Sequence, residues 1–241
     1  DTNPDLFYSI GATTTDVTER AVELFSDAAY AIAAFAFAPE RRVQTLECAP
    51  LEFSDSCVAN YIQRIGRKLF RRPLTVAEQD RWLNLAMDTH PEDIYRGLEH
   101  SLAGMLQSPY FLYRVELGLP DPADDRIRRY TPFEMAQRLS FTIINSGPDD
   151  MLLDAAQAGE LLDNDSIAYH AQRLLVRAEA AQSIQAFFSQ YLDLGRLDSV
   201  DRPIDLHPQF SRQLIDAMKT EVTLLVNDII FTSPRDIRGL F

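Results

Sequence analysis

The chain has 241 residues, 46% hydrophobic and 24% charged, a globular balance and a length that suits one large or two small domains. Its formal net charge of -13 excludes nucleic acid as an expected partner, because an acidic surface repels the phosphate backbone. The same charge suits a basic partner, a cationic ligand or solubility alone, and no apolar run approaches the roughly 18 residues of a membrane span.

The hydrophobic period is helical throughout and glycine is scarce, at nine residues. We therefore predict an all-α fold, a multi-helix bundle of about eight to ten helices. The first helix is expected over 16–37, capped by Thr15 or Asp16 and ended by Pro39. Its apolar side is predicted to comprise Val17, Ala21, Leu24, Phe25, Ala28 and Ile32.

The two cysteines, Cys48 and Cys57, stand at the ends of one short loop. We predict a disulfide between them, which would close a loop of about ten residues and stabilise the fold by roughly 2–3 kcal/mol. A disulfide implies an oxidising compartment, periplasmic or extracellular. Two free thiols in a cytosolic protein are the alternative.

Helices are next expected over 54–70, from Thr75 to about residue 86, and over 92–107. Thr75 and Glu78 form the Thr-x-x-Glu capping box that opens the middle one. Ser108-Pro109 interrupts the pattern, which resumes over 110–116.

Residues 118–130 are rich in aspartate, proline and glycine and are predicted to be a linker. It separates an N-terminal helical subdomain, 1–117, from a C-terminal one, 131–241, which we expect to continue beyond this chain. A second capping box, Thr131 with Glu134, starts a helix that ends near Ile144. Further helices are expected from residue 149 through 156, up to 177 from a cap at Asp165 or Ser166, and over 180–194 and 208–230.

No phosphate-binding loop, nucleophile elbow or paired metal-ligand motif occurs, so we expect no catalytic residue in this chain. His100 and His170 lie on predicted helices, where either could be an axial ligand of a haem iron or an ordinary helical histidine. Met105, five residues after His100, is a further candidate, with core packing as its alternative.

Carboxylates cluster at Asp149, Asp150 and Asp154, where they suit either a hard cation such as calcium or the N-terminal end of a helix. Arg114 and Glu116 stand beside apolar residues. We expect at least one of them in a buried pair or on an acidic ligand group, and we predict that Arg114 is not a surface charge.

A series of motifs then resembles a known family. In order they are Cys48, Cys57, Arg71-Arg72-Pro73-Leu74-Thr75 with Glu78, Gln107-Ser108-Pro109, Phe111-Leu112-Tyr113-Arg114 with Glu116, Arg138-Leu139-Ser140-Phe141, Asn145-Ser146-Gly147-Pro148-Asp149-Asp150, Leu152-Leu153, Gln190-Tyr191-Leu192, Phe210, and Ala217-Met218 with Glu221. From about Leu46 onward the chain resembles the helical domains of unknown function in large secreted planctomycete-type and proteobacterial proteins.

The resemblance implies a c-type haem context, since members of that family carry Cys-x-x-Cys-His motifs outside the helical region. This chain has no such motif, so no haem is expected to be covalently bound to it; haem c is expected on the remainder of the protein. Ile144 and Tyr191 stand where the family pattern often shows Trp.

These observations favour a helical domain that shelters or docks a c-type haem for electron transfer or oxidative chemistry. One alternative is a non-catalytic interaction or scaffold module of a cell-surface or periplasmic assembly, and another is a hydrolase or other enzyme that uses the carboxylates. The expected partner is the remaining segment of the same protein or a companion chain.

Overall fold

The computed structural model describes residues 18–203 and 205–232, together with 236 and 238. The helices of this part of the chain are α1 (Glu19–Ala36), α2 (Arg42–Leu46), α3 (Ser56–Phe70), α4 (Val76–Thr89), α5 (Ile94–Leu106), α6 (Pro109–Leu112), α7 (Pro132–Ile144), α8 (Asp150–Gln157), α9 (Asn164–Leu175), α10 (Ala178–Tyr191) and α11 (Arg212–Asn227). Short 3₁₀ helices lie at Glu160–Leu162 and Leu194–Ser199, and a π-helical turn, Asp228–Thr232, follows α11. The predicted all-α fold is confirmed.

The chain forms two compact units, and neither is one continuous stretch of sequence. The larger unit comprises the described residues of 18–139 together with Gly147–Ile167. The smaller comprises Ser140–Ser146 and the described residues of 168–241. Compactness does not report whether residues 1–117 and 131–241 fold independently. The two subdomains therefore stay a prediction.

The core of the larger unit is built mainly from α1, α3, α4 and α5. Its fully buried side chains include Ala33, Val58, Ile62, Ala86, Leu98 and Met105. Helices α4 and α5 approach closely at Gly97, where an added Cβ would overlap the carbonyl oxygen of Ala86. Glycine at this position therefore lets the two backbones pack against each other.

Local capping explains where several of these helices begin. The capping box of Thr75 and Glu78 opens α4 as predicted, and that of Thr131 and Glu134 opens α7. The predicted caps of the first helix, Thr15 and Asp16, lie outside the described residues. In α1 the N-cap is Thr18, whose side chain accepts a hydrogen bond from the Ala21 amide.

Two other predicted boundaries are wrong. In α9 the capping carboxylate is Asp163, two residues before Asp165, and it accepts a hydrogen bond from the amide of Ser166. The helix expected over 110–116 is only α6, Pro109–Leu112, because Tyr113 already has an extended backbone.

The segment predicted to be a linker contains a small antiparallel hairpin. Its strands, β1 (Leu119–Pro120) and β2 (Arg128–Arg129), are two residues long each. Arg128 donates hydrogen bonds to the carbonyls of Leu117 and Gly118, and Arg129 pairs with Asp121. The arginine contacts hold a segment whose composition alone indicated a linker.

The predicted disulfide between Cys48 and Cys57 is confirmed. It joins the loop after α2 to the first turn of α3, with a Cα–Cα distance of 6.2 Å.

In the smaller unit, α10 and α11 pack together. The Gln185 side-chain amide donates to the Asn227 side-chain oxygen over 2.9 Å. The Asp198 carboxylate forms ion pairs with Arg212 (2.7 Å) and Lys219 (2.6 Å) of α11. None of the described helices is both long and apolar enough to cross a membrane.

Candidate functional site

Arg71 is the most deeply buried arginine among the described residues and follows α3 directly. Its backbone is left-handed, with φ of 58°, and the residue is only 6% exposed. The left-handed turn ends α3 and directs the side chain into the larger unit. An arginine at this depth must satisfy its donors inside the protein.

Those donors connect three parts of the larger unit. Nε donates to Oε1 of Gln137 on α7 (2.8 Å). Nη2 donates to the carbonyls of Tyr110 (2.5 Å) and Tyr113 (2.8 Å), and Nη1 donates to that of Phe111 (3.2 Å). The two motifs singled out in the sequence, Arg71-Arg72-Pro73 and 108–116, are therefore one structural feature. Burial lowers the pKa of Arg71, and the nearby charge of Arg114 lowers it further.

Arg72 makes a different and more local contact. Its two terminal nitrogens bind both carboxylate oxygens of Glu78, over 2.8 and 2.7 Å. Glu78 also accepts from the Thr75 amide over 2.8 Å. The hydrogen bonds from Arg72, with those of Thr75, lower the pKa of Glu78 to about 2.

A cavity of 310 Å³ lies beside the two arginines. Its walls combine aromatic and polar side chains: Phe70, Arg71, Arg72, Tyr110, Tyr113, Val115, Thr131, Phe133, Glu134 and Gln137. Glu134 accepts hydrogen bonds from the amides of Leu117 (2.7 Å), Gly118 (2.9 Å) and Thr131 (2.7 Å). Burial raises the pKa of Glu134, but these amides and the Thr131 hydroxyl outweigh it and hold the pKa below its usual range.

The charged side chains of this cavity are engaged within the protein. Arg71, Arg72 and Glu134 already hold protein partners. Four aromatic rings remain as the main contact surface, and Arg72 lies 4.7 Å from the centroid of Tyr110. The arrangement suits an apolar or aromatic group.

The predicted haem-ligand candidates lie in separate places. His100 is half-buried on α5, and Met105 is fully buried in the core of the larger unit. His170 is 3% exposed on α9 in the smaller unit, edge-on to the ring of Tyr169. Met105 therefore packs as a core residue, and the roles of His100 and His170 toward haem stay predictions.

Arg114 is exposed, so the prediction that it is not a surface charge is wrong. The buried guanidinium of this region belongs to Arg71, because the left-handed residue at the end of α3 turns that side chain inward. Glu116 is half-buried and pairs with Arg138 over 2.7 Å. Arg138 is half-exposed, so this contact is not the buried pair that was expected for Arg114 or Glu116.

The aspartates proposed for a cation have other partners. Asp149 caps α8 by accepting from the Leu152 amide (2.9 Å). Arg67 contacts Asp150 (3.6 Å) and Asp154 (2.5 Å), and Lys68 also contacts Asp150. These contacts already supply the positive charge that calcium would bring, and they favour the helix-end interpretation.

A second surface feature lies on α1. Phe25, Ala28, Ile32 and Phe35 are spaced by three, four and three residues and are all exposed; we call them the α1 stripe. The three larger side chains are 47%, 54% and 62% exposed. The side predicted to be apolar is thus partly outward, while Ala29 and Ala33 are buried. Small alanines allow α5 to approach closely, which the larger residues would prevent.

Sequence reasoning missed the burial of Arg71, its bond to Gln137 and the aromatic cavity. All depend on residues about 40 to 66 positions apart. The available signal was an arginine pair followed by proline at a helix end, which marks a turn and not its direction.

Two family models match most of the region that carries the resemblance. Residues 57–116 match PSD5, described as a protein of unknown function (DUF1595). Residues 130–241 match PSD4, described as a protein of unknown function (DUF1592). Both matches support the resemblance to domains of unknown function. No curated protein and no solved structure matches the chain significantly.

Proposed function

We propose that this chain is a non-catalytic docking module of a larger exported protein. The α1 stripe binds a further segment of that protein or a companion chain. The observation that carries the proposal is the exposure of Phe25, Ile32 and Phe35 on one side of a helix whose other side is anchored in a core.

The spacing of the α1 stripe supports this role. Apolar residues that alternate at three and four positions form a continuous line along a helix, which is the pattern by which helices pack against partner helices. Single exposed apolar residues are ordinary, whereas an aligned set marks an interaction surface. The aromatic cavity beside Arg71 offers a second place for an apolar side chain of a partner.

Export to the periplasm or the extracellular space is part of the same proposal. The disulfide between Cys48 and Cys57 supports it, because such bonds persist in oxidising compartments. The net charge of -13 predicts a predominantly acidic surface. Such a surface suits a partner that has basic residues around an apolar strip.

Site-specific photocrosslinking in the intact parent protein tests the docking role. The photoreactive amino acid p-benzoylphenylalanine replaces Phe35 in one variant and Glu23, exposed on the opposite side of α1, in the control. We expect Phe35 to crosslink to peptide outside these 241 residues and Glu23 to give little product. Crosslinks from Phe35 confined to this chain would contradict the proposal.

We further propose, from the resemblance, that the larger protein carries c-type haem and that these helices shelter or dock it. The coincidence of the two family matches with the quoted motifs favours the resemblance, although both families are of unknown function. An absorbance spectrum of the intact protein decides: a Soret band is expected, and its absence would leave docking without haem.

A further inference from the structure

Two histidine rings lie side by side on the surface of the larger unit. The centroids of His90 and His100 are 4.6 Å apart, with an interplanar angle of 55°. His90 ends α4, His100 lies on α5, and the ring of Tyr30 on α1 stands edge-on to His100 at 5.6 Å. Both histidines are half-buried, so three helices hold the pair while solvent still reaches it.

One nitrogen of His100 is fixed by its own helix. Nδ1 lies 3.0 Å from the carbonyl oxygen of Arg96. A carbonyl only accepts hydrogen bonds, so Nδ1 carries the proton and a neutral ring presents Nε2 as a lone pair. Metal-binding histidines in proteins commonly use this arrangement, in which a carbonyl orients the ring and sets the tautomer.

The backbone of His90 is anchored on both sides. Its amide donates to the Ala86 carbonyl and its carbonyl accepts from the Asp93 amide, each over 3.2 Å. The position of the second imidazole relative to α5 is therefore set by the turn between α4 and α5.

We infer that His90 and His100 form a two-histidine site for a divalent transition-metal ion of the zinc or nickel type. Imidazole nitrogens bind such ions at about 2.0–2.1 Å, so the centroids of two rings on one ion lie about 4.5 Å apart at a ligand angle of about 90° and about 5.2 Å apart at the tetrahedral angle. The observed 4.6 Å lies at the lower end of that range. Imidazole suits Zn²⁺ and Ni²⁺, whereas Mg²⁺ and Ca²⁺ require oxygen ligands.

Water would complete the coordination. The described residues contain no group of three histidine, cysteine or acidic side chains that could hold a metal. The site is thus open, and the proposal concerns reversible binding of an ion. It does not depend on the α1 stripe, and it uses the same Nε2 of His100 that axial ligation of a haem iron would require.

Isothermal titration of the tag-free chain with ZnCl₂ at pH 7.5 tests the inference. The variants are His90→Gln and His100→Gln, with His207→Gln, an exposed histidine of the smaller unit, as matched control. We expect one Zn²⁺ per wild-type chain, unchanged binding in His207→Gln, and at least tenfold weaker binding in each of the other two. MgCl₂ should give no comparable binding.

A measurement on the unsubstituted chain keeps the test decisive if a variant fails to fold. Diethyl pyrocarbonate modifies accessible histidines, and mass spectrometry locates the product. Zn²⁺ should protect His90 and His100 but not His207. The site would be overturned if the wild-type chain did not bind Zn²⁺, if binding survived both substitutions, or if Zn²⁺ did not protect His90 and His100 more than His207. The two rings would then be a packing contact.

Discussion

The guanidinium of Arg71 shows how one side chain can join segments that are distant in sequence. Its four hydrogen bonds reach α7 and the carbonyls around α6. The bond to Gln137 is buried, and the three bonds to the carbonyls are partly buried. A charged residue in this position therefore acts as part of the core.

Replacing Arg71 should be costly. Arg71→Ala would remove the buried donor to Gln137 together with three part-buried hydrogen bonds, so we expect the free energy of unfolding to fall by about 3 kcal/mol. Arg71→Lys keeps the charge but not the planar guanidinium group, so its stability should lie between that of the wild-type chain and that of Arg71→Ala. Urea unfolding measures both, with the exposed Arg20→Ala as control, expected within about 0.5 kcal/mol. Equal stability of the Arg71 and Arg20 variants would contradict the structural role.

Glu78 gives the fold a specific dependence on acid. Its pKa is lowered from 4.5 to about 2 in the folded protein. A depressed pKa contributes stability that is present above the unfolded value and is lost as pH falls from about 5 toward 2. The cause is the set of hydrogen bonds from the Arg72 side chain and from Thr75, which stabilise the charged carboxylate in the folded protein.

Glu78→Gln should therefore flatten the dependence of stability on pH in that window. We expect the wild-type chain to lose more unfolding free energy than the variant between pH 5 and pH 2, in thermal or urea unfolding. The two curves should approach each other near pH 2, where the wild-type carboxylate is about half protonated. Parallel curves across the window would show that the Arg72 contact has little energetic weight.

Among the helices, α1 departs most from its sequence pattern. The amphipathic pattern predicted a helix there, and its existence is confirmed. The pattern also placed Leu24, Phe25 and Ile32 on the apolar side, yet α5 packs on the alanine side. Which side is buried depends on the shape of the neighbouring helix, and that information lies about 70 residues away in the chain.

Because the alanine side of α1 is buried and the α1 stripe is exposed, substitutions on the two sides should affect stability to different extents. Ala33→Leu adds three carbons at a fully buried position and should lower stability by about 1–3 kcal/mol. Phe35→Asn removes an exposed ring and its contact with the Arg41 guanidinium, and should change the stability of this chain by about 1 kcal/mol or less. Thermal unfolding of both variants makes the comparison. A larger loss for Phe35→Asn than for Ala33→Leu would mean that the α1 stripe is part of the core.

Local interactions explain most of what the sequence could predict. The capping boxes of α4 and α7 involve residues three apart, and the disulfide joins residues nine apart. Each was predictable because its partners are near in the chain. The Arg71 contacts, the aromatic cavity and the pair of Arg67 with Asp154 span 39 to 87 residues and could not be read from spacing.

The disulfide should stabilise the start of α3. Closing a loop of about ten residues lowers the conformational entropy of the unfolded chain, which stabilises the folded state by about 2–3 kcal/mol. The double variant Cys48→Ser/Cys57→Ser should lose that amount in denaturant unfolding under oxidising conditions. Adding a reducing agent should bring the wild-type chain to the same value and leave the variant unchanged. A reductant effect on the variant would point to a cause other than this bond.

At the scale of the whole molecule, the larger unit needs residues on both sides of the hairpin. Gln137 accepts from Arg71, Glu134 receives the amides of Leu117 and Gly118, and Asp154 pairs with Arg67. In addition, Leu152 and Leu153 of α8 are fully buried. A chain ended after the hairpin would lose all of these contacts at once.

We therefore predict different behaviour for two fragments. Residues 1–167 should unfold cooperatively, because they contain every described residue of the larger unit. Residues 1–130 should be less stable by at least about 3 kcal/mol, since Arg71 and the carbonyls near α6 remain while Gln137 and α8 are gone. Urea unfolding followed by far-UV circular dichroism compares the two, with the full chain as reference. Equal stability of the fragments would instead support the division at 118–130 predicted from composition, and would reduce the contacts across the hairpin to surface contributions.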